Sequence, residues 1–70
     1  MNLLEIGKIV QDRRVALEIK QEDLAELSGI TTKTIYMLEH GKGNPSFNTI
    51  TQILGVLGVD ISVQLKNKVE

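Results

Sequence analysis

The sequence predicts a mainly α domain of four to five short helices, closed by a single C-terminal β-strand. Apolar residues recur at three- and four-residue spacing over most of the chain. Glycines and small hydroxyl residues punctuate that spacing, and it switches to strict alternation after Gly58.

Between Leu3 and Ile19, Ile6, Ile9, Val10 and Leu17 fall on one helical stripe that Arg13 interrupts. Gly7 weakens this helix by about 1 kcal/mol relative to alanine. A second helix fits Gln21 to Ser28, with Leu24 and Leu27 facing inward and Glu22 and Asp23 at the positive end of its dipole. Gly29 suits the left-handed residue that ends a helix. Thr31 is an N-cap for a third helix, Thr32 to about His40, burying Ile35 and Leu38. Gly41 and Gly43 stop it, and residues 41–45 read as a loop. Ser46 caps a fourth helix, Phe47 to Leu57, burying Phe47, Ile50, Ile53, Leu54 and Leu57. Gly58 closes it.

Val59, Ile61, Val63 and Leu65 then alternate with Asp60, Ser62, Gln64 and Lys66, the pattern of a half-buried strand over about 60–66. No other stretch reads as a strand, so its backbone groups need a partner from elsewhere. The same strand of a second copy, across a two-fold axis, supplies one, which makes Ile61, Val63 and Leu65 dimerisation residues. Folding back on its own subunit is equally compatible with the composition.

With 70 residues the chain is read as one domain, residues 1–70, and it must draw stability from close helix packing or from a second subunit. It has no cysteine and one histidine, His40, so disulfides and thiolate-bound zinc are excluded, and neither metal nor cofactor is expected. No apolar run approaches the roughly 20 residues that span a bilayer. The N-terminus lacks the basic start and apolar stretch of a secretory signal, so a cytoplasmic location is expected. Catalysis is not expected either, since no nucleophile–base pair is evident. Gly41-Lys42-Gly43 follows a helix instead of opening a strand–loop–helix phosphate site. No small-molecule ligand is anticipated. The net charge of −1 is neutral on function. Local charge decides phosphate contact, because screening limits each charge to about 8–10 Å. Lys8, Arg13, Arg14 and Lys20 cluster in one stretch, whereas Glu22, Asp23 and Glu26 form a solvated acidic face.

The informative stretch runs from Lys20 to Gly41. Two short helices joined by a tight turn cross steeply, at about 90–120°. Such a crossing needs a small residue at the approach, Ala25, and a glycine in the turn, Gly29. Here the chain resembles the Xre/Cro family of helix-turn-helix regulators, which includes lambda-type repressors. The resemblance is carried by Gln21-Glu22-Asp23-Leu24-Ala25, Ser28-Gly29-Ile30-Thr31, Thr34-Ile35, Leu38-Glu39-His40-Gly41-Lys42 and Asn44-Pro45-Ser46. It spans about residues 6–59, with the motif at 21–40, and the terminal strand resembles that of HipB-type antitoxins.

The resemblance implies a lambda-repressor-like fold whose C-terminal strand pairs across a homodimer. It also implies double-stranded DNA as partner and repression from a palindromic operator. The alternative it offers is the antitoxin of a toxin–antitoxin pair, which binds a toxin protein and represses its own operon. Gln21 would hydrogen-bond a phosphate. Thr31, Thr32, Lys33 and Thr34 would open the recognition helix, with Lys33 reaching guanine O6 and N7. One of Tyr36 and Met37 would touch DNA, while Lys42 and Asn44 would clamp the backbone.

The chain departs from the family at Lys20, where a capping Thr or Ser is usual, and at Met37, where a polar residue is common. Arg14 reads either as a phosphate ligand or, as the resemblance implies, as the partner of Glu39 in a structural ion pair. Arg13 reads as a solvated charge or a phosphate contact, His40 as an exposed residue favourable to the helix dipole, and Tyr36 as a DNA contact or a packing residue on the nearby loop.

Overall fold

The computed structural model describes residues 1–66, and among them are four helices: α1 (Leu3–Ala16), α2 (Gln21–Ser28), α3 (Thr32–Glu39) and α4 (Phe47–Val56). This is the mainly α expectation at its lower helix count. α1 packs on α3, and α2 packs on both α3 and α4. Their meeting faces enclose a core of Val10, Leu24, Ile35, Leu38, Ile50, Ile53, Leu54 and Leu57.

Three helix starts are fixed by side chains that satisfy orphan N–H groups. Thr31 accepts from the Thr34 N–H at 3.2 Å and Ser46 from the Thr49 N–H at 3.1 Å, as the sequence predicts. α1 adds a reciprocal pair that the sequence reading missed. Asn2 accepts from the Glu5 N–H, and Glu5 accepts from the Asn2 N–H, both at 2.9 Å. Lys20 has no acceptor to offer at the start of α2. There the Asp23 carboxylate reaches back to the Lys20 N–H at 2.8 Å.

α1 stops at Ala16, short of the expected Ile19, because Glu18 turns left-handed at φ 59°. The Glu18 and Ile19 N–H groups then bond back to the carbonyls of Val15 and Arg14, at 2.9 and 3.2 Å. Leu17 thereby leaves the helical stripe and is exposed. α3 ends the same way: Gly41, at φ 67°, lets its own and the Lys42 N–H reach the Leu38 and Met37 carbonyls at 2.9 and 2.8 Å. Gly29, at φ 73°, closes α2 as anticipated.

Two core assignments are corrected. Leu27 is 63% exposed, and the inward face of α2 consists of Leu24, Ala25 and Ser28. Ser28 takes an inner place because its hydroxyl donates to the Leu24 carbonyl at 2.7 Å, leaving no unpaired polar group. Phe47 is 64% exposed, since it sits one position past the N-cap while Ile50, Ile53, Leu54 and Leu57 take the core face of α4.

No strand is present among the described residues. Residues 59–66 follow the turn at Gly58 without regular structure, and Val63 and Leu65 are 94% and 85% exposed. An isolated segment with no neighbour to accept its ladder cannot register as a strand within one chain.

Gly7 has a use that its helix propensity hides. A Cβ there would overlap the Leu38 carbonyl oxygen and lie 2.9 Å from the Leu38 carbonyl carbon and 3.1 Å from the Glu39 Cα. The backbones of α1 and α3 meet at that point, and only a glycine permits it.

Candidate nucleic-acid interface

The geometry of α3 follows from its helical repeat. Ile35, Leu38 and Glu39 are buried, which leaves two outward rows at i, i+4 spacing: Lys33 and Met37 in one, Thr32, Tyr36 and His40 in the other. The first row faces the 41–45 loop, which the left-handed turn at Gly41 folds back along the helix. Between helix and loop lies a shallow concavity of about 340 Å³, lined by Lys33, Thr34, Met37, Lys42, Gly43, Asn44 and Pro45. Its charged groups are two lysines, and no acidic side chain lines it. The acidic residues Glu22, Asp23 and Glu26 lie on the exposed side of α2, so a net charge of −1 coexists with a cationic groove.

Five predicted site residues therefore converge here: Lys33, Thr34, Met37, Lys42 and Asn44. The others are placed differently. Thr32 is exposed in the first turn of α3, in the other row. The Thr31 hydroxyl is occupied by the cap, accepting from the Thr34 N–H and donating to the Thr34 Oγ1 at 2.9 Å. Tyr36 is exposed and does not line the groove. Its ring lies 4.1 Å from that of His40, whose Nδ1 is 2.8 Å from the Tyr36 carbonyl. His40 is exposed at the end of α3, as expected.

Gln21 turns inward: its Nε2 donates to Glu39 Oε1 at 3.0 Å, one member of a network around the buried Glu39 carboxylate. Arg14 grips the same carboxylate with two parallel bonds, Nε to Oε2 at 2.7 Å and Nη2 to Oε1 at 3.0 Å. Its Nη1 donates to the Ile19 carbonyl at 3.0 Å. The Glu39 side chain is fully buried and that of Arg14 is 12% exposed, so Arg14 holds the structural ion pair. The hydrogen bond to Glu39 raises the guanidinium pKa, burial opposes that rise, and the Glu39 charge adds to it. One fork thus binds α1, the turn before α2, and the last residue of α3.

Arg13 is exposed, as the solvated-charge reading has it, and it also has a partner that the sequence reading missed. Its Nε donates to the Leu57 carbonyl at 2.8 Å, placing a cation at the negative end of α4. Lys8 pairs with Asp12 at 2.8 Å, an exposed i, i+4 contact of small energetic value. Among the described residues no group of His, Cys, Asp or Glu side chains could hold a metal ion. No helix among them is long and apolar enough to cross a membrane.

A helix-turn-helix family model matches residues 10–64. The chain is 38% identical over 50 residues to an uncharacterized HTH-type transcriptional regulator of Methanothermobacter thermautotrophicus, covering 71% of this chain and 72% of that protein. It is 36% identical over 55 residues to a provisionally named HTH-type transcriptional regulatory protein of Methanococcus maripaludis, covering 79% of this chain and 17% of that longer protein. A third relative is the ImmF control region 10 kDa protein of Bacillus phage phi105, 25% identical over 59 residues, which are 84% of this chain and 66% of that one. The chain thus spans less than a fifth of the Methanococcus protein and just under two thirds of the phage protein.

Proposed function

Because the chain belongs to the Xre/Cro-type helix-turn-helix family, we propose that it binds duplex DNA as a homodimer and represses transcription from a palindromic operator. The observation that carries this reading is the acid-free groove in which Lys33 and Thr34 of α3 meet Lys42 and Asn44 of the loop. Lys33 and Thr32 stand in the first turn of α3, the part of a recognition helix that reaches base edges. Lys33 reads guanine, and Thr32 offers a methyl to thymine or a hydroxyl to other edges. Lys42 and Asn44 hold the phosphate backbone and set register. One amide hydrogen of Gln21 is committed to Glu39, and the second is available to a phosphate beside the start of α2.

Selection from a randomised duplex pool tests the reading, and a palindrome with half-sites about 34 Å apart is the expected product. On that site Lys33→Ala should cost about 1–3 kcal/mol and relax preference at one base pair. Lys42→Ala should instead weaken binding evenly on all sequences and flatten the salt slope by about 0.9. A uniform loss for Lys33→Ala would remove its base-reading role.

Self-association is supported by what the chain leaves uncovered. Ile61, Val63 and Leu65 are exposed, and Ile61 adjoins an apolar surface that includes Ile6, Ile9, Phe47 and Val59. Antiparallel pairing of residues 60–66 with a second copy would satisfy their backbone groups and cover that surface. The double variant Val63→Lys, Leu65→Lys should sediment as a monomer where the parent chain sediments as a dimer. A parent chain that is monomeric at micromolar concentration would refute the dimer.

A further inference from the structure

Met37 stands in the groove as its least expected member, an apolar side chain between two lysines. It is half-buried, whereas Lys33 and Lys42 beside it are exposed. Its carbonyl accepts from two N–H groups, those of His40 at 3.1 Å and Lys42 at 2.8 Å. Its thioether methyl lies 3.6 Å, and its Cβ 3.9 Å, from the place a Cβ on Gly43 would occupy. Gly43, at φ 83°, therefore turns its open side toward the Met37 side chain, with room between them for no more than about a methyl group. Both halves of the residue face the loop: the carbonyl anchors Lys42, and the side chain stands next to the open side of Gly43, where it limits how far the loop can settle.

We infer that Met37 is a positioning residue that fixes the height of the 41–45 loop above α3, and with it the spacing between Lys33 and the phosphate-holding Lys42 and Asn44. This rests on the DNA-binding reading above and assigns Met37 no base of its own. An unbranched side chain that fills irregular gaps suits a support under a glycine turn. Shortening it to alanine leaves the loop free to settle toward the helix, which withdraws Lys42 from the phosphate it would meet. Leucine conserves the volume and should keep the loop in place.

The experiment compares the parent chain with Met37→Ala, Met37→Leu, Lys42→Ala and the Met37→Ala, Lys42→Ala double variant. Affinity is measured against salt on the selected operator and on operators altered one base pair at a time. Met37→Ala is expected to weaken binding by a similar factor on every duplex and to flatten the salt slope by about 0.9, the signature of one lost phosphate contact. Met37→Leu should restore the slope, and Lys42→Ala should flatten it no further in the alanine background, because the two residues act through one contact. An unchanged slope together with an altered preference at one base pair overturns the inference and makes Met37 a reader of sequence. Amide exchange at Lys42, whose N–H is bonded to the Met37 carbonyl, follows the loop without DNA: it should speed up in Met37→Ala and return in Met37→Leu, and equal exchange in all variants also overturns the inference. If the parent chain shows no salt-dependent binding to any duplex, the DNA reading fails, and the exchange data alone decide whether Met37 supports the loop.

Discussion

Arg14→Ala is expected to destabilise the domain by about 3–5 kcal/mol, because it strands a fully buried carboxylate. Glu39 would keep only the Gln21 amide, and the Ile19 carbonyl would lose its donor as well. A folded chain of this size is stable by only roughly 0.05–0.15 kcal/mol per residue, so the loss removes at least about a third of the margin. Urea denaturation with matched baselines measures it, and a loss below about 1 kcal/mol would show that the pair is screened as a surface bridge is. Arg14→Lys should fall between, since an ammonium retains the charge and cannot make the parallel fork. The sign of the pH dependence follows from the raised pKa of Arg14. A cation with a raised folded pKa contributes stability that is complete below its unfolded pKa and lost as pH climbs through the folded one. For a guanidinium that window is strongly alkaline, so this group leaves stability flat around neutrality.

Gly7→Ala should have the second-largest effect, and its sign is the test. Propensity alone awards alanine about 1 kcal/mol over glycine in a helix. Against that stands overlap of the new methyl with the Leu38 carbonyl, a backbone group with no rotamer through which to move aside. Overpacking of this kind costs typically 1–3 kcal/mol, and the upper end applies where both neighbours are main chain. A net loss of about 2 kcal/mol is expected, with weaker DNA binding as α3 is pushed off its seat. Gly55→Ala is the matching control, because nothing lies within 4 Å of a Cβ there and the same substitution should stabilise by about 1 kcal/mol. If both variants gain stability, the α1–α3 approach is looser than described.

The contrast between these two glycines shows where the sequence was readable. Signals that act within a few residues were legible: the hydroxyls of Thr31 and Ser46 before helical periodicity, and the left-handed stops at Gly29 and Gly58. The groove was also legible in large part, because the i, i+4 rows of α3 and the turn at Gly41 bring Lys33, Met37 and Lys42 together once the helix is placed. The ion pair of Arg14 and Glu39 was reached only through a resemblance, since nothing local links positions 25 apart. Arg13 read as a flaw in an apolar stripe because its acceptor, the Leu57 carbonyl, lies 44 positions away. Leu27 and Phe47 were misplaced for another reason: an eight-residue helix has too few turns to fix which stripe faces inward, and a residue in the first turn can fall beyond the neighbouring helices. Glu18 carries no signal for its left-handed turn, and the end of α1 was overrun accordingly.

The seat at Gly7 bears on transplantation. Residues 21–39 contain both helices of the motif, and they would be the natural piece to graft onto another scaffold. Excised, that piece leaves Glu39 without its guanidinium and the Leu38 carbonyl facing a surface that α1 no longer covers. Val10, the buried core residue that α1 contributes, is lost with it. A chimera built from the two helices alone should carry Lys33 and Thr34 of the groove without Lys42 and without the geometry that aligns them. The smallest portable piece begins at Asn2, whose cap starts α1, because α3 and its mount are a single part.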